Sequence, residues 1–98
     1  MTPVVFSRLA VDDLTEIAAY ISERNPSRAH SFAEELVAAC RDRGLFPDSG
    51  RRRRDVAENL YTFPYGRYLI IYSVEDERVL IRRVVHGARN LEAPLRDL

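Results

Sequence analysis

Histidine is the side chain best suited to proton transfer in this sequence, which contains two histidines, His30 and His86. An imidazole changes its charge between about pH 5 and pH 8, so it can act as an acid or a base near neutrality. His86 ends a run of strand-forming residues, whereas His30 lies on a predicted helix with no second histidine or cysteine beside it. His86 is therefore the better candidate for acid–base chemistry. The alternative is structural, because a lone histidine at a strand end more often only makes hydrogen bonds.

Arginine supplies every one of the fifteen basic side chains, and residues 51–54 are four consecutive arginines. A guanidinium group offers planar, bidentate contacts to phosphate or carboxylate that an ammonium group cannot make. Four tyrosines alternate with arginines further along the chain, an arrangement that can stack nucleic-acid bases. They are Tyr61, Tyr65, Tyr68 and Tyr72. The alternative is that residues 51–54 form a solvated loop and the tyrosines pack into the core.

The remaining reactive residue types predict no metal or cofactor site. Cys40 is the only cysteine, so the sequence can form neither an internal disulfide nor a thiolate cluster. We expect Cys40 to be a small buried residue on a helix. No glycine-rich phosphate loop and no nucleophilic serine turn is present.

Length and composition indicate one folded domain spanning residues 1–98. Apolar residues make up 46% of the chain, which is enough to build a core. The net charge is zero, but residues 1–50 carry five arginines against eight acids and residues 51–98 carry ten against seven. The second half is therefore the basic half. The sequence has neither the roughly 20 apolar residues of a membrane span nor a signal-peptide pattern, so we expect no membrane association and a cytoplasmic location.

The first half predicts a short strand and two helices. Residues 3–7 favour a strand, and Ser7 is a suitable N-cap for a helix that ends near Arg24. Asn25 and Pro26 should separate this helix from a second one, because the residue before proline avoids the helical conformation. Gly44 is placed to end the second helix in a left-handed conformation. Two helices with so short a link should pack as an antiparallel hairpin.

The second half predicts an antiparallel meander of three strands. The strands cover residues 60–63, 67–74 and 78–86, with turns at 64–66 and 75–77, and the tail allows little more than a turn of helix. The complete order is βααβββ. This order predicts an α+β fold in which an antiparallel sheet packs against an α-helical hairpin and leaves its other face to water or to a partner.

Alternation along the last strand gives each of its residues a predicted face. We assign the side that faces the helices to Val79, Ile81, Arg83 and Val85. The open side then receives Leu80, Arg82, Val84 and His86.

Five segments together resemble the RelE/ParE superfamily of toxins from bacterial type II toxin–antitoxin systems. The resemblance covers nearly the whole chain, and its specificity lies in the order and spacing of the segments. The segments are residues 6–10 with 13–17, then 20–26, 46–47, 66–72 and 83–90. It implies the same βααβββ fold.

The superfamily contains ribosome-dependent mRNA endonucleases of the RelE type and ParE-type toxins that poison DNA gyrase. The nuclease branch cleaves without a metal, using two lysines, two arginines and a tyrosine. The corresponding positions here are Asn59, Tyr61, Leu69, Arg89 and Leu95. Only Arg89 matches, so the resemblance favours a ParE-like toxin with no catalytic residues. The alternatives are a RelE-like nuclease that uses His86 and Arg89, and an inactive interaction module on the same fold.

The resemblance also implies a cognate antitoxin as a partner and DNA gyrase as the target. We expect an amphipathic segment of the antitoxin to lie against the helical hairpin near Tyr20 and Phe32. The target should meet the basic half of the chain, through arginines on the sheet or just after it. These are Arg67, Arg82, Arg83 and Arg89. The sequence does not decide whether the protein also binds nucleic acid directly.

Overall fold

The computed structural model describes residues 2–88, 90–96 and 98. Its first three elements follow the predicted order: strand β1 (Val4–Phe6), helix α1 (Arg8–Arg24) and helix α2 (Pro26–Arg41). Ser7 caps α1 as predicted, because its Oγ accepts a hydrogen bond from the Ala10 amide at 3.0 Å. The same hydroxyl donates to the Arg82 carbonyl at 2.8 Å. The cap therefore also ties the start of α1 to the last strand.

The two helices pack as the predicted hairpin and are joined by Asn25 alone. Asn25 has a non-helical backbone with φ −149° and ψ 78°, in agreement with the avoidance of the helical conformation before a proline. Pro26 occupies the first position of α2, where its missing amide hydrogen costs nothing. Within the described residues, every helix is too short or too polar to cross a bilayer.

Gly44 lies in a short 3₁₀ turn, Asp42–Gly44, that follows α2. Our expectation of a left-handed conformation at Gly44 was wrong, because Gly66 is the only described residue with a positive φ. Glycine is required at position 44 for a different reason. A Cβ there would lie 2.3 Å from the Thr2 carbonyl oxygen, and the Thr2 amide donates a hydrogen bond to the Gly44 carbonyl at 3.1 Å.

Arg43 fastens the segment after α2 to the core, although it is a cation with only 5% of its surface exposed. Its Nε donates to the Ala39 carbonyl at 3.0 Å, and another guanidinium nitrogen donates to the Ser49 hydroxyl. The guanidinium carbon lies 3.6 Å from the centre of the Phe63 ring. These hydrogen bonds and the ring face compensate the cost of burying the charge.

The sheet has five strands in the order β1-β5-β4-β3-β2. The strands that follow the hairpin are β2 (Arg51–Arg52), β3 (Leu60–Tyr65), β4 (Tyr68–Val74) and β5 (Val79–His86). Strands β3, β4 and β5 form the predicted antiparallel meander, while β1 pairs with β5 in parallel. The two-residue strand β2 was not predicted.

The turn between β3 and β4 is shorter than predicted. Tyr65 pairs with Tyr68, so only Gly66 and Arg67 remain in the loop. Gly66 has φ +57°, which a first loop residue needs in a hairpin of this length and which glycine adopts without strain.

A β-bulge in β5 reverses three of our eight face assignments. Ile71 pairs with Arg83 and Tyr72 with Ile81, so Arg82 is an extra residue in β5. One extra residue moves all later side chains to the opposite face. Before the bulge, Val79 and Ile81 pack toward the helices as predicted. After it, Val84 and His86 lie on the helix side and Val85 on the other, so these three predictions were wrong.

The second face of the sheet carries its own apolar cluster, which corrects our expectation of an open face. Helix α3 (Glu92–Arg96) and its flanking residues cover part of this face. We call this the α3-side cluster; its members are Leu60, Leu69, Ile71, Val85, Leu91, Leu95 and Leu98. The sheet is therefore packed on both sides.

Candidate functional site

A cleft of about 410 Å³ lies between α1 and the end of the sheet, and it contains two of the predicted site residues, Tyr20 and His86. We call it the α1–β5 cleft. It is lined by Asp13, Glu16, Ile17 and Tyr20 of α1, Tyr68 of β4, and Val84, Val85 and His86 of β5. The four α1 residues share one side of the helix because they are spaced at three- and four-residue intervals.

Asp13 joins α1 to the bulge at the wall of this cleft. Its two carboxylate oxygens accept hydrogen bonds from Arg83 Nε at 2.8 Å and from a terminal nitrogen of Arg83 at 3.0 Å. The Val84 amide donates a third hydrogen bond at 2.9 Å. Both charged side chains are only 12% exposed. Arg83 is thus committed to a structural ion pair, whereas we had predicted it as a target-binding cation.

His86 lies at the exposed mouth of the cleft. Its Nδ1 accepts a hydrogen bond from the Ala88 amide at 3.2 Å, so in the neutral ring we assign the proton to Nε2. The edge of the imidazole meets the Tyr68 ring at a centroid distance of 5.6 Å. These contacts orient the imidazole, and our prediction that it lies on the face away from the helices was wrong because of the bulge.

The remaining predicted target-binding arginines occupy two separate places. Arg67 is exposed in the β3–β4 turn, and its carbonyl accepts a hydrogen bond from Gly87 at 2.7 Å. Arg82 is half-buried at the bulge. Arg89 lies outside the described residues. The described arginines therefore do not form a single cluster.

At two positions where the RelE-type resemblance implies catalytic side chains, this protein has leucines that pack against other apolar residues. Leu69 and Leu95 belong to the α3-side cluster, and Leu95 is 9% exposed. Tyr61, at a third such position, is 8% exposed and stacks on Tyr72 with ring centres 5.5 Å apart.

Tyr20 and Phe32, the two predicted antitoxin contacts, differ in how accessible they are. Tyr20 is 52% exposed, with the Arg24 guanidinium carbon 3.7 Å from its ring centre. Phe32 is half-buried and packs against Tyr65 and Tyr68 at centroid distances of 6.2 and 5.7 Å. Phe32 thus contributes mainly to packing between α2 and the sheet.

The helical hairpin carries an apolar groove that we did not predict. Two adjoining cavities of about 480 and 460 Å³ share Val37 and Arg41. We call them together the hairpin groove; it is lined by Phe6, Val11, Leu14, Thr15, Ala18, His30, Ala33, Glu34, Val37, Ala38 and Arg41. A sequence signal was present, since Val11, Leu14 and Ala18 repeat at helical spacing.

The arginine block and the tyrosines have mainly structural surroundings. Arg51 and Arg52 form the edge strand β2, and Arg52 also contacts Glu58. Arg53 donates two hydrogen bonds to Asp55, and this guanidinium lowers the pKa of the Asp55 carboxyl. The alternative of a fully solvated loop is thus only partly correct, while the packing of tyrosines into the core is correct for Tyr61 and Tyr72.

Cys40 is fully buried, as predicted. Burial raises the pKa of its thiol to about 12. A thiol of this kind is inert at neutral pH.

Comparisons with known proteins agree with the fold over nearly the whole chain. A family model described as "ParE toxin of type II toxin-antitoxin system, parDE" matches residues 4–91. Toxin RelE2 of Caulobacter vibrioides is 35% identical over 89 residues, which is 91% of this chain and 99% of the relative. Toxin ParE3 of the same organism is 29% identical over 96 residues, 97% of this chain and 96% of the relative.

Two solved structures share the fold. The chromosomal ParDE toxin–antitoxin system of P. aeruginosa matches with a TM-score of 0.75 and 17% identity, covering 88% of this chain and 96% of that one. The toxin–antitoxin complex RelBE2 of Mycobacterium tuberculosis matches with a TM-score of 0.67 and 22% identity, covering 87% and 96%.

A helical hairpin on a five-stranded sheet, matched by toxins of both kinds, defines the class: a toxin of the ParE/RelE kind from a type II toxin–antitoxin system. Within that class, the chain belongs to the ParE toxin family, whose model spans residues 4–91.

Proposed function

We propose that this toxin inhibits DNA gyrase in the cytoplasm without catalytic residues of its own, and that a cognate antitoxin neutralises it. The observation that carries the first part is the packing of Leu69 and Leu95 in the α3-side cluster. The RelE-type resemblance requires an arginine and a tyrosine at these two positions. Hydrocarbon side chains can neither stabilise the charge of a phosphorane nor transfer a proton.

The surroundings of His86 also support a non-nuclease. Asp13 and Glu16 line the same cleft, and no arginine is among its described lining residues. Cleavage of a phosphodiester develops negative charge, which cations at the reacting phosphate stabilise and neighbouring carboxylates oppose. Asp13 is neutralised by Arg83 but Glu16 is not, so the imidazole is poorly placed to act on RNA.

A RelE-like mRNA endonuclease is the second candidate. The exposed, oriented imidazole of His86 and the 35% identity to a relative named Toxin RelE2 favour it. An inactive interaction module on the same fold is the third, because it would keep every contact described above.

The first prediction separates these three functions. We expect the purified chain to inhibit supercoiling by DNA gyrase and to leave mRNA intact in a reaction that contains ribosomes. His86→Gln should inhibit gyrase as well as the parent does, because binding needs no acid or base. Ribosome-dependent mRNA cleavage that falls about 10²-fold or more in His86→Gln would establish the nuclease instead. If neither activity appears, the inactive module is correct.

The second prediction concerns the surface that meets gyrase, for which we propose Arg67, Arg82 and Arg89. Charge complementarity mainly accelerates and orients association, and salt screens it. Replacing Arg82 and Arg89 together by alanine should therefore weaken gyrase inhibition about tenfold at low salt, and by less as salt is raised. Arg8 and Arg96, both exposed, give a control pair with the same change of charge. If the Arg82 and Arg89 double variant inhibits gyrase as well as the parent at every salt concentration, the proposed surface is wrong. Residues 51–54 would then be the next candidate for the gyrase contact.

We propose that the antitoxin binds in the hairpin groove as an amphipathic helix. The structural relatives include a ParDE system and a RelBE2 toxin–antitoxin complex, which supports an antitoxin for this chain as well. The groove is lined mainly by apolar side chains and also contains Arg41 and Glu34, which suits a helix with an apolar face and flanking charges. Tyr20 stays a proposed contact on the other side of α1, whereas the Phe32 ring is already packed against two tyrosines.

A further inference from the structure

The α1–β5 cleft combines aromatic rings with an unpaired carboxylate. Tyr20 and Tyr68 both line it, and Tyr20 is 52% exposed even with Arg24 stacked on its ring. Glu16 lies on the same side of α1 and is exposed, and it has no ion pair with any described residue. Aromatic faces beside a carboxylate are the features that attract a cationic side chain.

The charges around the cleft determine which of its carboxylates could hold a cation. Asp13 already accepts hydrogen bonds from Arg83 and Val84, so Glu16 remains as the acceptor for an incoming group. Arg24 and Arg67 flank the cleft, and their positive charges repel any further cation beyond the one that Glu16 accepts. Burial raises the pKa of Tyr68, the proximity of Tyr20 raises it further, and Arg67 lowers it. The two phenol groups are therefore close enough to influence each other.

Arg24 already makes the type of contact that the cleft could offer. Its guanidinium lies over the Tyr20 ring at 3.7 Å from the centre, within the distance of a cation–π interaction. An incoming guanidinium could stack in the same manner and reach Glu16, which precedes Tyr20 by one helical turn.

We propose that the α1–β5 cleft binds an arginine side chain from the antitoxin segment that follows the helix in the hairpin groove. This inference rests on the proposed antitoxin site. Val11, Leu14 and Ala18 of α1 line the groove, while Glu16 and Tyr20 line the cleft, so the two sites lie on opposite sides of one helix. A segment that leaves the groove needs only to cross α1 to enter the cleft.

The binding chemistry is tested by titrating the isolated chain with N-acetyl-arginine methylamide and following its tyrosine and histidine resonances by NMR. We expect saturable shifts at Tyr20, Tyr68 and His86. The matched citrulline compound has the same shape without the charge and should bind at least fivefold more weakly. Equal binding of the two compounds, or shifts confined to other residues, would overturn the site.

Variants localise the interaction to the carboxylate. Glu16→Gln should weaken binding of the arginine compound about fivefold, whereas Asp12→Asn, an exposed acid of the same helix outside the cleft, should leave it unchanged. If both variants weaken binding of the arginine compound equally, the attraction is general and electrostatic. That result would contradict a specific site at Glu16.

The identity of the occupant is tested on the complex with the antitoxin, taken as the protein encoded beside this gene. The arginine compound should no longer bind in that complex, because the antitoxin's own arginine fills the cleft. Unchanged binding would overturn the antitoxin as occupant. Failure to form any complex would instead contradict the proposed function, and the titration of the isolated chain would still stand.

Discussion

Asp13→Ala should lower the free energy of unfolding by about 3 kcal/mol, as measured by urea denaturation, because it breaks a largely buried ion pair. The carboxylate accepts three hydrogen bonds, two from Arg83 and one from the Val84 amide. Alanine removes all three at once, at the point where α1 meets the bulge. Small domains have only about 5 to 15 kcal/mol of stability in total, so the variant should melt at a much lower temperature.

Asp12→Ala is the matched control for this prediction. Asp12 is the neighbouring acid on α1 and pairs with Arg8 at the surface, where the two side chains are 51% and 88% exposed. Such surface pairs contribute at most about 1 kcal/mol. If Asp13→Ala costs no more than Asp12→Ala, the Asp13–Arg83 pair does not stabilise the fold as we argue.

Ala18→Arg should weaken antitoxin binding by about 100-fold or more. Ala18 is half-buried in the hairpin groove, where a long cation would fill the space meant for an apolar helix face. Placing an unpaired charge in an interface costs several kcal/mol, and each 1.4 kcal/mol is a factor of ten. Arginine favours helical conformation, so the toxin itself should keep its fold. Titration calorimetry with the purified antitoxin gives the affinity.

Ala19→Arg provides the control, because it adds the same side chain one residue away at an exposed position outside both the groove and the cleft. It should bind the antitoxin as the parent does. Comparable losses in Ala18→Arg and Ala19→Arg would place the antitoxin elsewhere on the toxin.

Local signals in the sequence were sufficient to predict the helical hairpin and the meander. Ser7 and the Asn25–Pro26 pair mark helix ends through contacts within a few residues, and alternation marks the strands. The bulge at Arg82 could not be predicted in this way, because it follows from how β5 packs against β4 and α1. The Asp13–Arg83 pair joins residues that are 70 positions apart.

We singled out His86 for acid–base chemistry and Tyr20 as an antitoxin contact, and only the fold brings them into one cleft. The α3-side cluster had a detectable signal, since Leu91, Leu95 and Leu98 repeat at helical spacing. Because of the proline at position 94, we predicted little more than a turn of helix there, and α3 is only five residues long. Pro94 is buried within α3, in the first turn, where proline is tolerated.

The position of β1 has a consequence for the order in which this toxin can fold during synthesis. β1 is an edge strand whose only partner among the described residues is β5, with Val4 paired to Val79 and Phe6 to Ile81. The ribosome releases the N-terminal strand long before its partner exists, and contacts between residues so far apart in the chain form late. The nascent chain can therefore build its helical hairpin early, but the sheet closes only after the last strand has emerged. A truncated translation product that lacks β5 has no partner for β1 and cannot complete the toxin fold.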